Sequence, residues 1–334
     1  MTELKVVDKI NSNKWDEFIK SHPDGNIFQT HQMMKVYENT INYEPLFLAV
    51  LDEVDEVQAI ILACIIKEFD GILGSFTARS IIHGGPIYIS GNTGLEAQEK
   101  LMETYDKIIN KKAIYTEIRN MWHIPNNINF NGYNYENHQD IFIDLRKTEE
   151  ELMKAIKRDK KRAIKKAIDN GINLIKIDNK DKIDYFYEIL TETYNTVKVP
   201  LADKSKFKSV YDYLVLNGMA DYFLAELDGK YIGGRLELYY KNRIYDWYAG
   251  ASANSTTYYP NEFLVWHIIK WGSQNGFRSF DFGGAGKPDV EYGVRSFKER
   301  FGGEMVNFGR LIKIHQPIKK KISMMGFNIW RKIR

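Results

Sequence analysis

The chain has 334 residues, of which 44% are apolar and 27% charged, and its formal net charge is +3. This composition predicts folded cores rather than long disordered segments, and the length exceeds that of a usual single core, so we expect two domains. A single cysteine, Cys64, excludes an internal disulfide framework and predicts a reducing compartment.

Neither a metal site nor a membrane span is expected from the sequence. The seven histidines show no HExxH or comparable ligand spacing. The first ten residues carry acids where a signal peptide would carry an apolar core, and no apolar run approaches the ~18 residues that span a bilayer. We therefore expect a cytoplasmic protein.

The first half of the chain is predicted to alternate helices and strands. Thr30 is a suitable N-cap for the second helix, from which Lys35 projects. An acidic turn joins two strands into a hairpin, and Gly84-Gly85-Pro86 interrupts the strand that follows. In chain order we expect helices at 14–20 and 31–38, strands at 45–51, 57–66 and 80–88, a helix at 95–109 and a strand at 112–118.

The second half repeats this order at an offset of about 176 residues. Residues 222–227 (YFLAEL) resemble residues 45–51 (PLFLAVL), and a glycine-containing strand again precedes a helix. The repeated order is that of an acetyltransferase-like (GNAT) α+β unit, so two such units in tandem are expected. The corresponding elements are strands at 222–227, 231–240 and 245–251, a helix at 261–274 and a strand at 278–282.

Two stretches carry much of the excess positive charge. Residues 154–166 contain eight Lys or Arg among thirteen residues, with apolar residues at helical spacing, and are predicted to form one helix. The tail, residues 317–334, is predicted to be an amphipathic helix that either contacts an anionic membrane or packs on the first domain. The basic helix either is solvated without a ligand or binds tRNA or other phosphates through Arg158, Lys161, Arg162 and Lys165.

Residues 280–303 (FDFGGAGKPDVEYGVRSFKERFGG) combine a strand end, a glycine-rich loop and a cationic turn. Gly283 and Gly284 are expected to break the strand and to let the backbone approach a ligand. The spacing fits neither a phosphate loop, which needs GxxxxGK followed by Ser or Thr, nor a dinucleotide fingerprint. A site for another kind of ligand is therefore expected here.

These motifs together resemble the Fem family of peptidoglycan-bridge aminoacyltransferases and their acyltransferase relatives. The resemblance covers nearly the whole chain, and the residues that carry it are Lys35, Gly84-Gly85-Pro86, the basic helix ending at Asn170-Gly171, Tyr248-Ala249-Gly250 with Tyr258-Tyr259-Pro260, and residues 280–303. It implies an α+β fold of two tandem GNAT-like domains with mixed central sheets. Since no heptad pattern is long enough for a coiled-coil insertion, the chain resembles the compact femX type.

The resemblance also implies how the chain divides. Residues 1–147, together with a C-terminal segment at 311–334 that docks back, would form an acceptor-binding domain. Residues 148–310 would form the second domain, which carries the transfer site.

The activity implied is that of a non-ribosomal aminoacyltransferase. Such an enzyme moves an amino acid from aminoacyl-tRNA, its donor substrate, to an amine of a UDP-linked or lipid-linked cell-envelope precursor, with no bound cofactor. A place at the inner face of the membrane, with contact through residues 317–334, would suit a lipid-linked acceptor.

Two alternatives stay open at the level of the sequence. One is an N-acyltransferase that uses a carrier-protein or coenzyme A thioester on an amino sugar of an envelope polysaccharide. Residues 254–262, where a coenzyme A enzyme carries its pyrophosphate-binding turn, contain no glycine, which argues against coenzyme A. The other is a non-catalytic RNA- or membrane-binding protein.

The resemblance names candidate catalytic residues. Lys298 matches the lysine that compact members place near the reacting carbonyl, where one donor to the developing oxyanion is worth roughly 3 kcal/mol. Asp281 is the candidate acid, and capping of the glycine loop is its alternative role. No general base is assigned, because Asn120 stands where some members carry an acid.

Further residues are expected to bind the acceptor. Lys35 matches a basic residue that holds the nucleotide diphosphate of the precursor, for which a flexible ammonium is suited. Tyrosines offer both stacking area and a hydroxyl, although burial in the core is the alternative for any one of them. The expected substrate-binding residues are Lys35, Tyr115, Tyr248, Tyr258, Tyr259, Gly283, Gly284 and Arg295.

Overall fold

The computed structural model describes residues 3–69, 71–124 and 130–333, without the side chains of residues 72, 73 and 327–333. The chain forms two compact units, one made of Met1–Asn137 with Phe308–Arg334 and the other of His138–Asn307. The C-terminal segment thus belongs to the first unit.

Strands and helices alternate in the order that the sequence predicts, with additional elements between them. The strands are β1 (Lys5–Val7), β2 (Tyr43–Leu51), β3 (Val57–Ile66), β4 (Arg79–His83), β5 (Ile87–Tyr88), β6 (Tyr115–Arg119), β7 (Asn134–Glu136), β8 (Gln139–Asp144), β9 (Asn173–Lys176), β10 (Ala220–Leu227), β11 (Lys230–Tyr240), β12 (Arg243–Ala251), β13 (Ser279–Gly286), β14 (Glu304–Asn307) and β15 (Arg310–Ile314). The helices are α1 (Ser12–Ser21), α2 (His31–Glu38), α3 (Gly71–Gly74), α4 (Asn92–Ile109), α5 (Glu149–Ala155), α6 (Arg158–Asp169), α7 (Ile183–Thr196), α8 (Lys204–Tyr213), α9 (Pro260–Gln274), α10 (Gly293–Glu299) and α11 (Pro317–Ile333).

Each unit is built on one mixed sheet, and the two sheets have the same sequence of parallel and antiparallel neighbours. The first has the order β1-β2-β3-β4-β6-β15-β7, with β5 also paired to β3. The second, read from its β9 edge, has the order β9-β10-β11-β12-β13-β8-β14. In each sheet the fourth and fifth strands are parallel, and all the other neighbours in these orders are antiparallel. The repeat in the sequence therefore corresponds to a repeat of the first five strands, whereas the sixth strand is, in chain order, the last of its sheet in the first unit (β15) and the first of its sheet in the second (β8).

A helix covers the central strands of each sheet. In the first unit, α4 buries Leu101 and Tyr105 in a core that includes Ile61 of β3. In the second unit, α9 contributes Leu264 to a core that includes Phe280 and Phe282 of β13. Each of these two phenylalanines is fully buried and stabilises the fold by about 1.5–3 kcal/mol.

The start of α2 lies where the sequence predicts it. The Thr30 side chain accepts a hydrogen bond from the backbone N–H of Met33 at 3.2 Å, as an N-cap does. Downstream, α5 begins with a capping box in which Thr148 and Glu151 satisfy each other's backbone N–H groups.

The prediction of one basic helix over residues 154–166 is wrong, because two helices share this stretch. Ile156 and Lys157 are both extended, with ψ angles of 138° and 149°. The Ile156 side chain enters the core of the second unit, and the Lys157 N–H donates to Arg300 O at 2.9 Å. The chain leaves the helical path here because the backbone bonds to another segment.

The expected break of the strand at Gly283 is also wrong. β13 continues to Gly286, and its pairing with β8 extends through Gly284 with Asp140 and Gly286 with Gln139. Register shifts in this pairing absorb the glycines as irregularities of the strand.

The resemblance assigns residues 1–147 to the first domain. Strand β8 lies before residue 147, but it pairs with β13 and β14 and so belongs to the sheet of the second unit. Across the described ranges, none of the helices combines the length and the apolar character that crossing a bilayer requires.

Candidate functional site

The central parallel strand pair of the second unit is open at one end. β12 and β13 are in register over three residue pairs, the last of which joins Tyr245 with Asp281. Beyond these residues β12 continues to Ala251 and β13 to Gly286, with no further pairs between them. We call the gap beyond Tyr245 and Asp281 the wedge. Beyond these residues the main-chain groups of β12 and β13 are not used in pairing between the two strands.

The equivalent strands of the first unit remain paired. β4 and β6 are in register over all five of their residues, through His83 with Arg119. The N–H of Gly84 then donates to Arg119 O at 2.8 Å and extends the ladder past the end of β4. The two sheets therefore differ at the place where a wedge would form.

The ammonium of Lys298 is fixed to the backbone of β13 beside the wedge. Lys298 is the sixth residue of α10, and its Nζ donates to Phe282 O and, at 3.0 Å, to Gly284 O. Nζ lies 5.5 Å from the centroid of the Phe282 ring. Burial lowers the pKa of Lys298, while the carboxylates of Asp246 and Asp281 oppose that shift. An ammonium has three N–H donors, so one remains beyond the two carbonyl bonds.

Asp281 is buried at the last parallel pair and caps the glycine turn. Its Oδ1 accepts the N–H of Gly283 at 2.8 Å, which is the alternative role given to it from the sequence. Burial raises the pKa of Asp281 to about 6, against the charge of Arg243 and the bond from Gly283. Gly283 has a φ of 67°, so the turn that Asp281 caps needs a residue without a side chain.

A buried ionic cluster beside Lys298 was not found by sequence reasoning. Arg235 of β11 lies with its Nη1 2.6 Å from Oδ1 of Asp246 on β12, and both side chains are almost fully buried. Glu237 is completely buried and is the direct cross-strand partner of Asp246. The available signal was the alternation of charged and apolar residues in RLELYY and in YDWY, within otherwise apolar strands.

Arg295 ties the loop after β13 to the sheet. Its Nη1 donates to Lys287 O at 2.7 Å and to Gln139 Oε1 at 3.0 Å, and its Nη2 donates to Val290 O at 2.5 Å. These bonds hold the loop in place. A contact between Arg295 and a substrate stays a prediction.

Tyr248 lies on β12 beyond the last parallel pair, next to a buried cation. Its hydroxyl accepts a hydrogen bond from Lys206 Nζ at 3.0 Å, and its ring packs edge-on against Phe207 with 4.9 Å between centroids. Trp247 is the extra residue of a bulge between β11 and β12, and Lys206 Nζ is 4.2 Å from its ring centroid. Lys206 was not among the residues predicted from the sequence.

Tyr258 and Tyr259 form the turn that leads into α9. Tyr258 is 41% exposed, whereas Tyr259 packs partly buried against the core. Tyr259 is the N-cap residue of α9 and has a φ of 62°, which is uncommon for a bulky side chain. Lys166 Nζ lies 5.9 Å from its ring centroid.

α6 presents a basic stripe to solvent. We use this name for Arg158, Lys161, Arg162 and Lys165, which share one face because their spacing is i, i+3, i+4 and i+7. Apart from Lys161, which donates to Lys154 O, these side chains are exposed. Asp159, the acid of this helix's first turn, is held by Arg300 at 2.7 Å and so does not neutralise the stripe.

Lys35 and Tyr115 belong to the first unit. Lys35 lies in the last turn of α2, and its Nζ forms an ion pair with Glu38 at 2.8 Å. Tyr115 begins β6, where Lys320 Nζ lies 5.2 Å from its ring centroid and burial raises the pKa of its hydroxyl. Asn120 donates from its side chain to Phe308 O at 3.1 Å, within the same unit.

The second unit thus gathers part of the predicted site around the end of β13. Lys298, Asp281, Gly283, Gly284 and Arg295 all bond to residues of this strand or of the loop that follows it. The tyrosines lie on β12 and on the turn before α9, and the basic stripe lies on α6. In the residues that the structure describes, no group of His, Cys, Asp and Glu is arranged to hold a metal ion.

The chain is similar to known proteins over nearly its whole length. Residues 154–298 match the family model of the acetyltransferase (GNAT) domain. The lipid II:glycine glycyltransferase of Staphylococcus haemolyticus is 18% identical, and the alignment covers 97% of this chain and 98% of that relative. The alignment has 422 positions, more than the 334 residues of the chain, so the relative carries segments that this chain lacks.

Two solved structures share the fold. FemX is 17% identical and has a TM-score of 0.69, over 96% of this chain and 100% of that one. A tandem GNAT protein from the clavulanic acid biosynthesis pathway is 10% identical and has a TM-score of 0.59, over 94% of this chain and 99% of that one. The predicted α+β fold of two tandem GNAT-type domains is confirmed.

Proposed function

We propose, from the premise that this chain is an acyltransferase of the Fem family, that it moves an amino acid from aminoacyl-tRNA to an amine of a cell-wall precursor. The amine attacks the ester carbonyl, a tetrahedral intermediate with an oxyanion forms, and the ribose oxygen leaves with a proton as the amide is made. Both exchanged bonds belong to the substrates, so the transfer needs no bound cofactor. Alignment of the two substrates alone supplies much of the rate.

The observation that carries the proposal is the ammonium of Lys298 at the wedge. Two of its N–H groups are held by Phe282 O and Gly284 O, so its position is fixed before a substrate binds. The third N–H is the donor that an oxyanion needs, and one such donor is worth roughly 3 kcal/mol. Desolvation of the ammonium strengthens this bond, because the interaction takes place away from water.

Asp281 supports this arrangement from the last parallel pair. Its bond to the Gly283 N–H holds the turn from which Phe282 O and Gly284 O reach Lys298. Above about pH 6 the carboxyl is ionised and accepts this bond more strongly. Asp281 therefore acts on the reaction through the glycine turn.

The basic stripe of α6 supports tRNA as the donor. Its four cations share one face of α6 with one acid of that helix, Asp169 at its end, and this excess of positive charge suits the phosphates of a nucleic acid backbone. Glycyl-tRNA is the first donor to test, because the Staphylococcus haemolyticus relative is named as a glycine transferase.

Two features of the first unit support a nucleotide- or lipid-linked acceptor. Lys35 is partly exposed and can exchange Glu38 for a diphosphate. On α11, Ile318, Ile322 and Met325 are exposed on one face at i, i+4 and i+7, next to three consecutive lysines. This pattern suits peripheral contact with an anionic bilayer, where a lipid-linked precursor resides.

The remaining predicted residues are proposed to contact the substrates. Tyr248, Tyr258 and Tyr259 offer ring faces and hydroxyls, and Arg295 holds the loop after β13. Tyr115 is proposed to contact the acceptor from the first unit.

The test is transfer of a radiolabelled amino acid by the purified chain. Donors are tRNAs charged with individual amino acids, and acceptors are the lipid-linked and the UDP-linked precursor in separate reactions. We expect one donor to give labelled acceptor in a tRNA-dependent manner. Absence of transfer with all charged tRNAs, together with turnover of an acyl thioester on an amino sugar, would replace this function by a thioester-dependent N-acyltransferase.

A further inference from the structure

A row of buried carboxyls crosses the sheet of the second unit and ends beside the wedge. Asp221 on β10 is the direct cross-strand partner of Glu237 on β11, which in turn is the partner of Asp246 on β12. Directly opposed residues share a face of the sheet and have neighbouring side chains. The three side chains are all nearly or fully buried. Three buried acids at successive cross-strand positions of one sheet require an explanation.

Each of the two outer acids forms an ion pair, whereas the central one forms none with the residues that the structure describes. Lys176 lies 2.7 Å from Asp221, and Arg235 lies 2.6 Å from Asp246. Neither carboxyl oxygen of Glu237 has a hydrogen-bond partner among the described residues. An ionised carboxylate without a cation in this position would meet both the cost of desolvation and the repulsion of its neighbours.

A proton on Glu237 removes both costs. Burial and the charge of Asp246 raise the pKa of Glu237 well above its ordinary value, and Arg235 opposes this only in part. A neutral carboxyl has one O–H donor, and the acceptor directly opposite is the carboxylate of Asp246. The pair then carries one negative charge and one shared proton.

When Glu237 is neutral, the positive and the negative groups around it are equal in number. Around it stand Asp221 of β10, Arg235 and Tyr239 of β11, Asp246 of β12, Lys176 of β9, Asp281 of β13 and Lys298 of α10. With Glu237 neutral, Arg235, Arg243 and Lys298 balance Asp140, Asp246 and Asp281, and Lys176 balances Asp221. Among the described residues Lys298 forms no ion pair, and its ammonium bonds to carbonyl oxygens instead.

We propose that Glu237 keeps a proton in the folded protein and shares it with Asp246, and that this pair positions Lys298 as an ammonium with one donor left for the substrate. The role in transfer rests on the proposed function, whereas the location of the proton does not. Glu237 is a positioning residue, because it acts on Lys298 through Asp246. An ionised Glu237 would instead compete for the ammonium and draw it away from the wedge.

The location of the proton is tested by counting protons released on unfolding. Above its ordinary pKa an unfolded glutamate is ionised, so the wild-type chain must release the Glu237 proton when it unfolds. In unbuffered solution near pH 7 we expect it to release about one proton more per chain than Glu237→Gln. Glu304→Gln, at an exposed carboxyl of β14 in the same sheet, is the matched control and should match wild type. Equal release from wild type and Glu237→Gln would overturn the proposal.

The positioning role is tested by rescue and by the titration of Lys298. Glu237→Ala should lower kcat of transfer about tenfold or more, as expected for loss of a hydrogen bond to a charged group, and Glu237→Gln should recover most of that loss. The double variant Asp246→Asn with Glu237→Gln removes the one negative charge of the pair near Lys298, so the Lys298 amine should react with an amine-directed reagent at lower pH than in wild type. Equal loss in Glu237→Ala and Glu237→Gln, or an unmoved Lys298 titration, would overturn this role. If wild type transfers nothing, the proposed function fails, and the proton count and the Lys298 titration still decide the pair.

Discussion

Replacement of Lys298 by methionine is the most direct test of the wedge as the transfer site. Methionine has a similar length and no N–H group, so Lys298→Met removes the donor without opening a large cavity. Two of the three ammonium donors already bond to Phe282 O and Gly284 O, so the substrate can lose one hydrogen bond. Loss of one donor to an oxyanion corresponds to about 10²–10³ in kcat, or about 2.7–4 kcal/mol.

The assay is single-turnover transfer from the charged tRNA that wild type uses, with acceptor at saturation. Saturation makes the measured rate report kcat rather than binding. Lys230→Met, an exposed lysine on β11 of the same unit, is the matched control and should retain the wild-type rate. Lys298→Met also leaves two carbonyls without their N–H donor, which should lower the free energy of unfolding by about 1–3 kcal/mol each where they stay dry. The thermal stability of each variant is therefore measured together with its transfer rate.

The pH dependence of the transfer rate is a second test with the same variant. Since burial lowers the pKa of Lys298, its ammonium is lost as pH rises at a lower pH than for an exposed lysine. Transfer by wild type should fall along that alkaline limb, and Lys298→Met should lack it. A folded Lys298→Met with wild-type kcat would refute the reasoning, as would an alkaline limb that persists unchanged in the variant.

Three further changes test the surroundings of the wedge. Burial raises the pKa of Asp281 to about 6, so between about pH 4 and 6 the folded chain holds a proton that the unfolded chain lacks. As the pH rises through this range, Asp281 should therefore lower the free energy of unfolding by up to about 3 kcal/mol. Asp281→Asn should remove this contribution from the pH dependence measured in denaturant titrations and leave the contribution of Glu237, and an unchanged slope would contradict the assignment. Gly283→Ala should lower the free energy of unfolding by about 1–2 kcal/mol, because φ is 67° at this residue, and an unchanged melting temperature would argue against that turn. Replacing Arg158 and Arg162 together by alanine should reduce the slope of log Kd for tRNA against log salt by about 1.5, measured by filter binding, whereas an unaltered slope would remove the stripe from the tRNA site.

The two sheets differ at the position that Asp281 occupies in the second unit. In the first unit Glu117 takes the place of Asp281, since each stands in the third residue pair of its parallel strands. Glu117 is held by Arg119 at 2.8 Å and by Arg310 at 2.5 Å, and the strands stay paired beyond it. In the second unit pairing ends at Asp281 and a lysine enters from α10. This difference is the reason to look for chemistry in the second unit.

Much of the fold was predictable because its signals are local. The N-cap at Thr30 and the apolar periodicity of α2 and α9 lie within one or two turns of the chain. The order of the strands along the chain followed from the internal repeat of the sequence. The break at Ile156 was missed because an isoleucine there also fits a continuous helical stripe, and only its burial in the core shows that the helix ends.

Sequence alone determined that residues 280–303 hold a glycine turn followed by a lysine, and the resemblance assigned Lys298 to the reacting carbonyl. The sequence also places Arg235, Glu237 and Asp246 in apolar strands, but it does not indicate which of these side chains pair with each other. Only the tertiary structure decided those pairings, because they depend on the register of β10, β11 and β12, and only the tertiary structure brings Lys298 of α10 beside them. A carboxylate is stabilised by the cation that the fold pairs with it, and in the described part of the chain Glu237 has neither an ion-pair nor a hydrogen-bond partner, so the fold favours its protonated form.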